Sequence, residues 1–248
     1  MNALELRITG IGAWWPQRGD WPQLRAWLRG EAIGGAIAAR PPAGVLPQGE
    51  RRRAPLTVLL ACEVAAQACA MAGHAGADLP CVFSSAHGEV AISHDMCATL
   101  ASEPLALSPT RFHNSVHNAA VGYWTLATQC HEASSALSAW HGTLGAGLFE
   151  AAVLACAESR PVLFTCYEAA AEGPLARVLG ADSTQALALV LDPDPAAAGS
   201  RLRLRQHATT ATATATAAEL LRALALQQPA ALALPAGIHR QLEIEITP

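Results

Sequence analysis

The 248-residue chain contains no lysine, and all sixteen of its basic residues are arginine. That absence excludes Schiff-base chemistry and any other lysine nucleophile. Charged residues make up only 15% and the net charge is -4, so there is no basic surface of the kind that binds nucleic acid. There is no apolar run of about 18 residues, nor a basic stretch followed by an apolar core at the N-terminus, so neither a membrane span nor a signal sequence is expected. Gly-rich phosphate loops and G-x-S-x-G elbows are missing too. Cysteines number seven, at positions 62, 69, 81, 97, 130, 156 and 166. An odd count set mostly in apolar runs reads as reduced core residues of a cytoplasmic protein.

What is present is apolar: 52% of the residues are hydrophobic, enough for a sizeable core. Residues 4–13 alternate and then become apolar, as a buried strand does, with Gly10 and Gly12 allowing a tight turn behind them. A short helix is expected at 21–30, an exposed loop rich in Pro, Gly and Arg at 39–53, and a buried helix at 55–72 whose one internal charge is Glu63. Strands are expected at 79–85, 134–139, 160–167 and 183–191, with helices at 91–100, 118–128 and 142–157 between them. The polar stretch 86–89 falls at the carboxyl end of a strand, where loops often line a site. This alternation predicts a layered α/β domain over residues 1–194. Residues 195–248 differ, with strand-like runs at 202–205, 231–234 and 242–246, a helix at 218–226 and the low-complexity connection ATTATATATA at 208–217.

Several segments together resemble the beta-ketoacyl synthase-like N-terminal family, in particular the short chain-length-factor subunits of aryl polyene pigment systems. They are ITGIGAWWP, VFSSAHGE, SPTRFHNSVHNAAVGYW, SALSAWHGTLGAGLFEA and ALALVLDP, spanning roughly residues 4–193. The resemblance implies an α/β, thiolase-like half-fold, layered α-β-α with a mixed sheet and a truncated second half, for which residues 195–248 would be the stub. Ketosynthases read T-A-C-S-S-S-L-V-A-L-H-L-A, with a small alanine ten residues after the nucleophilic cysteine. Ten residues after His141 stands Ala151, which puts His141 where the thiol belongs; a slip of one residue would put Trp140 there. No catalytic residue is therefore expected. The two histidines beyond residue 193, His207 and His239, sit in no motif of the family.

The same resemblance implies a catalytically inactive partner of a full-length ketosynthase in a heterodimer, transiently engaged by acyl carrier protein, without cofactor or metal. Family members pair the strand before the nucleophile turn, which points to Ser134, Ala136 and Ser138 as interface positions. Phe112, Tyr123, Trp124, Trp140 and His141 are candidates for the wall of an acyl tunnel, although each aromatic could equally be ordinary core. Two competing chemistries start from the residues themselves. His113 and His117 stand four apart, a spacing that can bind zinc on one helical face. A thiol, for instance Cys130 beside His131 and Glu132, or else His141, could serve a self-sufficient acyltransferase or thioesterase.

Overall fold

In the computed structural model, which describes residues 3–210 and 213–248, nine strands form a single mixed sheet. Strand β1 (Leu4–Trp15) turns through Pro16, Gln17 and Arg18 into β2 (Gly19–Asp20) and then helix α1 (Trp21–Leu28), which begins on an Asp20/Gln23 capping box. Helices α2 (Gln48–Arg53) and α3 (Leu56–Ala72) precede β3 (Cys81–Ser84). Then come α4 (Val90–Ser102), α5 (Pro109–Ser115), α6 (Ala119–Thr128), β4 (Ser134–Leu137), α7 (Thr143–Glu158), β5 (Val162–Glu168), α8 (Pro174–Leu179) and β6 (Gln185–Asp192). The last elements are β7 (Ser200–Ala208), α9 (Ala217–Leu226), β8 (Ala230–Pro235) and β9 (Arg240–Thr247). The spatial order is β4-β3-β5-β6-β1-β7-β9-β8, with β2 added to β1. Strands β4, β3 and β5 run parallel, and every other neighbouring pair is antiparallel.

Two layers of helix cover the sheet. On one face α3 and α6 pack on Phe83, Leu163, Tyr167, Ala188 and Val190. On the other, α1, α7 and α9 pack on Ile8, Phe164, Leu187, Leu189 and Leu191. Strand β6 shows why its sequence is almost wholly apolar: Leu187, Leu189 and Leu191 enter one core while Ala186, Ala188 and Val190 enter the other. The stretch after residue 194 builds on the same sheet. Leu202 and Leu204 of β7, Leu242, Ile244 and Ile246 of β9 and Leu220, Leu221 and Leu224 of α9 share the core of α1 and α7.

Several expectations are corrected. Gly10 and Gly12 do not make a turn; they lie inside β1, where α3 crosses so closely that a Cβ on Gly12 would stand 1.9 Å from the Val64 carbonyl oxygen and one on Gly10 2.1 Å from that of Ala68. The expected loop at 39–53 ends in α2, whose Glu50 in the first turn and Arg51, Arg52 and Arg53 in the last suit the helix dipole. Helix α8, between Gly173 and the left-handed Gly180, is unanticipated. Strands β1 and β7 outrun their expected ends because each has a partner to the last residue: Trp15 pairs with Gly19, and Ala208 with Arg240. Part of the low-complexity connection, residues 211–212, lies outside the described residues.

Glu63, the lone internal charge of α3, accepts from the Ala43 N–H at 2.7 Å and from Gln67 Nε2 at 2.9 Å. Gln67 Oε1 in turn accepts from the N–H groups of Ala13 and Trp21, both at 3.1 Å. A carboxylate and an amide on one helix thereby satisfy donors from three other segments.

Candidate functional site

The parallel strands β3, β4 and β5 end on the same side of the sheet, and the side chains in and after them converge there. After β4 the chain makes a tight turn, Trp140–Gly142, and enters α7. Trp140 sits at φ +53°, a left-handed conformation that bulky residues rarely adopt. Thr143 holds it there: its hydroxyl donates to the Trp140 carbonyl at 2.7 Å and accepts from the Ala139 N–H at 2.9 Å. The C-terminal segment clamps the turn from outside. A Cβ on Gly142 would stand 2.2 Å from the Gly237 nitrogen, and one on Gly145 2.3 Å from the Pro235 carbonyl oxygen.

The Trp140 ring, about half exposed, meets the rings of His87 at 5.7 Å and His141 at 5.2 Å, both edge-to-face. His87 Nδ1 is buried with no hydrogen-bond partner, and burial, followed by the nearby His141, lowers its pKa from the usual imidazole range. Glu168, at the end of β5, accepts from the Ala86 N–H and, at 3.2 Å, from the Ser85 hydroxyl. Ser85 Oγ also accepts from the Gly88 N–H at 2.8 Å, and His117 Nε2 donates to the Ser85 carbonyl at 2.9 Å. The loop after β3 is thus knitted to β5 and to the residues before α6. Trp140, His141, Leu144, Cys166, Glu168 and Trp15 are among the residues enclosing a cavity of about 300 Å³.

Burial raises the pKa of Glu168 above the ordinary glutamate range, against the lowering by its hydrogen bonds. The folded state therefore prefers the proton: the stability this provides is complete below the unfolded-state pKa, roughly 4.3, and is lost as pH rises through the higher folded-state value. Glu168→Gln is expected to unfold at a higher temperature than the wild type at pH 7, with the gap closing below about pH 4. Thermal melts of both proteins across that range test this; a constant gap would refute it.

A second cavity, of about 210 Å³, lies beneath α5 and α6 and is lined by Leu46, Glu50, His113, Val116, Tyr123 and Leu126, among others. The Tyr123 hydroxyl donates to Asn114 Oδ1 at 3.0 Å, and the His113 ring lies 6.1 Å from the Tyr123 ring. The candidates of the sequence therefore fall into separate places. Trp140 and His141 share the first cavity, Tyr123 lines the second, and Phe112 projects from α5, 63% exposed. Trp124 lines neither cavity; it is 1% exposed, packed against Phe83 and under Gly76. Ser134, Ala136 and Ser138 lie along or just beyond β4, the strand at the sheet's margin.

The zinc spacing at His113 and His117 does not survive folding, because α5 ends at Ser115, Val116 is extended, and the two imidazoles face Tyr123 and the Ser85 carbonyl respectively. Among the described residues no group of three or more His, Cys, Asp or Glu side chains is placed to hold a metal ion. All seven cysteines are free. Burial pushes Cys69, Cys81 and Cys166 up to about 12 and raises Cys62 and Cys156 as well, so these thiols stay protonated and poorly nucleophilic at neutral pH. Cys130 is buried, its thiol donating to the Leu79 carbonyl at 3.5 Å. Its sequence neighbour Glu132 is engaged by Arg160 at 2.9 Å. His207 pairs with Gln241 on the neighbouring strand, and His239 lies in the β8–β9 turn; neither lines the first cavity. Glu168 and His87 escaped sequence reasoning, although the polar loop at 86–89 was the signal pointing to their neighbourhood. Among the described residues no helix is long and apolar enough to cross a membrane.

The chain is similar along nearly its whole length to a chain in the complex of a ketosynthase (ApeO) with its chain length factor (ApeC) from Xenorhabdus doucetiae. Identity is 25%, coverage 98% of this chain and 99% of that one, and the TM-score 0.76. It also matches a chain of the AntDE:AntF assembly, a type II polyketide synthase acyl-carrier protein in complex with its ketosynthase bound to the hexaketide (14% identity, 84% and 70% coverage, TM-score 0.69). A beta-ketoacyl synthase from Burkholderia phymatum matches at 16% identity, 90% and 70% coverage and a TM-score of 0.61. The last two likenesses establish the thiolase-like ketosynthase fold alone. None of the curated proteins matches the sequence. The model of the beta-ketoacyl synthase N-terminal domain matches residues 24–246, from α1 to the end of β9, and the chain belongs to that family.

Proposed function

We propose that the chain is a non-catalytic, chain-length-factor-like subunit that pairs with a full-length ketosynthase and helps shape the space in which its acyl chain grows. One observation carries this reading: β4, the strand that leads into the Trp140–Gly142 turn, is an open sheet edge, and that turn carries an indole and an imidazole but no thiol. Just beyond that edge the Trp140 indole stands about half exposed. An uncovered strand followed by an exposed indole is costly in water and suits pairing with a second sheet. The full-length likeness to a chain of a ketosynthase–chain length factor complex supports the same partner. On this reading His141 holds the position of the nucleophile, the partner supplies the reactive residues, and acyl carrier protein visits the assembled pair.

Co-expression with a full-length ketosynthase from the same organism, followed by a mass measurement of the purified complex, tests the pairing. Recovery of this chain alone, with no affinity for that synthase, would count decisively against it. Incubating the chain alone with acyl-carrier-protein thioesters should give neither acylation nor turnover. Trp140 is the proposed stop to chain growth, because its half-exposed ring stands at the turn that follows the edge strand. Trp140→Ala is expected to lengthen the product of the reconstituted pair, read by mass spectrometry. An intact complex making product of unchanged length would remove Trp140 from that role.

A further inference from the structure

Trp15 lines the cavity at the Trp140 turn and also a separate hollow of about 310 Å³ between α1, the β1–β2 turn and α9. Trp15, Leu24, Trp27, Leu28 and Leu221 supply most of the wall of this hollow, and Arg18 is the single charged side chain among its lining residues. The Arg18 guanidinium lies 4.4 Å from the centroid of the Trp27 ring, and its Nη1 donates to the Gln17 carbonyl at 3.2 Å. Among the described residues no carboxylate pairs with it. The Trp15–Arg18 turn, closed by the Arg18 N–H donating to the Trp15 carbonyl at 3.1 Å, fixes cation and indole relative to each other.

An apolar hollow with one indole shared with the next cavity and one carboxylate-free guanidinium matches a singly charged amphipathic anion. The planar guanidinium fork suits a carboxylate, whereas a dianionic phosphate would find only one of its charges balanced. We propose that this hollow binds a medium-chain alkyl carboxylate, its head on Arg18 and its chain between Leu24, Leu28 and Leu221, with Trp15 as the floor that limits chain length. The site lies within this chain alone and does not depend on the heterodimer reading.

Titrating the purified chain with sodium octanoate, sodium dodecanoate and octan-1-ol, by calorimetry and tryptophan fluorescence, tests the proposal. Octanoate should bind saturably with one site per chain. Arg18→Gln should weaken octanoate about tenfold while leaving octan-1-ol unchanged, because only the charged head is lost. Trp15→Ala should open the floor and favour dodecanoate over octanoate by about fourfold for each additional methylene buried, a gain that the wild type does not show. Ala218→Trp, at an exposed helical position lining the hollow, should abolish binding of all three without disturbing the fold. Failure of octanoate to saturate, equal binding by Arg18→Gln, or the same dodecanoate gain in the wild type would each overturn the site.

Discussion

Gly12→Ala is expected to cost the chain about 3 kcal/mol or more, enough to remove most of the soluble protein from an expression culture. The new Cβ would stand 1.9 Å from the Val64 carbonyl oxygen and 2.8 Å from the carbonyl carbon, and both are backbone atoms of the central helix α3. Neither side can yield easily. At Gly12 strand β1 is paired with β6, the next N–H donates to Gln67 of α3, and α3 is further pinned by Glu63. The sheet is also small-faced where α3 lies on it: Gly12 pairs with Ala188, and Ala186 and Ala188 both face α3. Gly122→Ala is the control, because a Cβ at that α6 position meets nothing within 4 Å and removes a helix-interior glycine. Denaturant midpoints should fall steeply for the first variant and rise slightly for the second. Equal midpoints for Gly12→Ala and the wild type would contradict the close approach of α3 to β1.

If the chain pairs with a full-length ketosynthase as proposed, Ala136→Pro is expected to weaken that association by about a hundredfold or more while leaving the isolated chain folded. The Cys81 N–H donates to the Ala133 carbonyl and the Ser85 N–H to that of Leu137, so the odd-numbered residues of this segment bond to β3. In a parallel ladder the alternate residues then direct their N–H and C=O groups to the other side. The backbone groups of Ser134, Ala136 and Ser138 are the ones available to an incoming strand. Proline at 136 removes one outward donor and blocks close approach, yet spares every bond to β3. Circular dichroism verifies the fold of the variant, and analytical ultracentrifugation with the synthase reads the loss. Undiminished association would show that the partner does not add to this edge.

Much of the architecture was legible in the residues. Strands β5 and β6 and helices α3, α6 and α7 lie within a few residues of where periodicity placed them, because each is a long apolar run ended by glycine, proline or polar residues, and the four-residue strands β3 and β4 fall inside the longer ranges expected for them. The elements that escaped are those whose stability is not local. Helix α2 has six residues, no buried side chain and a sequence that reads as loop; α8 is equally short, and its Val90, Ala176 and Ala181 contacts form a small cluster of their own. Helical spacing suggested a shared face for His113 and His117, but an extended Val116 separates them, a backbone choice that composition does not reveal. Trp124 and Trp140 looked alike as aromatic candidates. One is sealed against Phe83 while the other stands half exposed at a turn.

From its sequence alone came the expectation of an α/β chain resembling the ketosynthase N-terminal family, and the exclusion of lysine chemistry. The α/β pattern rests on periods of two and 3.6, which are local along the chain, and the family on the resemblance of a few short segments. Only the tertiary structure decided that half-buried Glu168 and His87 lie near Trp140 and His141, that residues 235–237 press on the turn, and that Trp15 lines two hollows. Each of these joins segments far apart in sequence, and their proximity is set by the order in which the strands enter one sheet, β4-β3-β5-β6-β1-β7-β9-β8, a choice made by the packing of the whole.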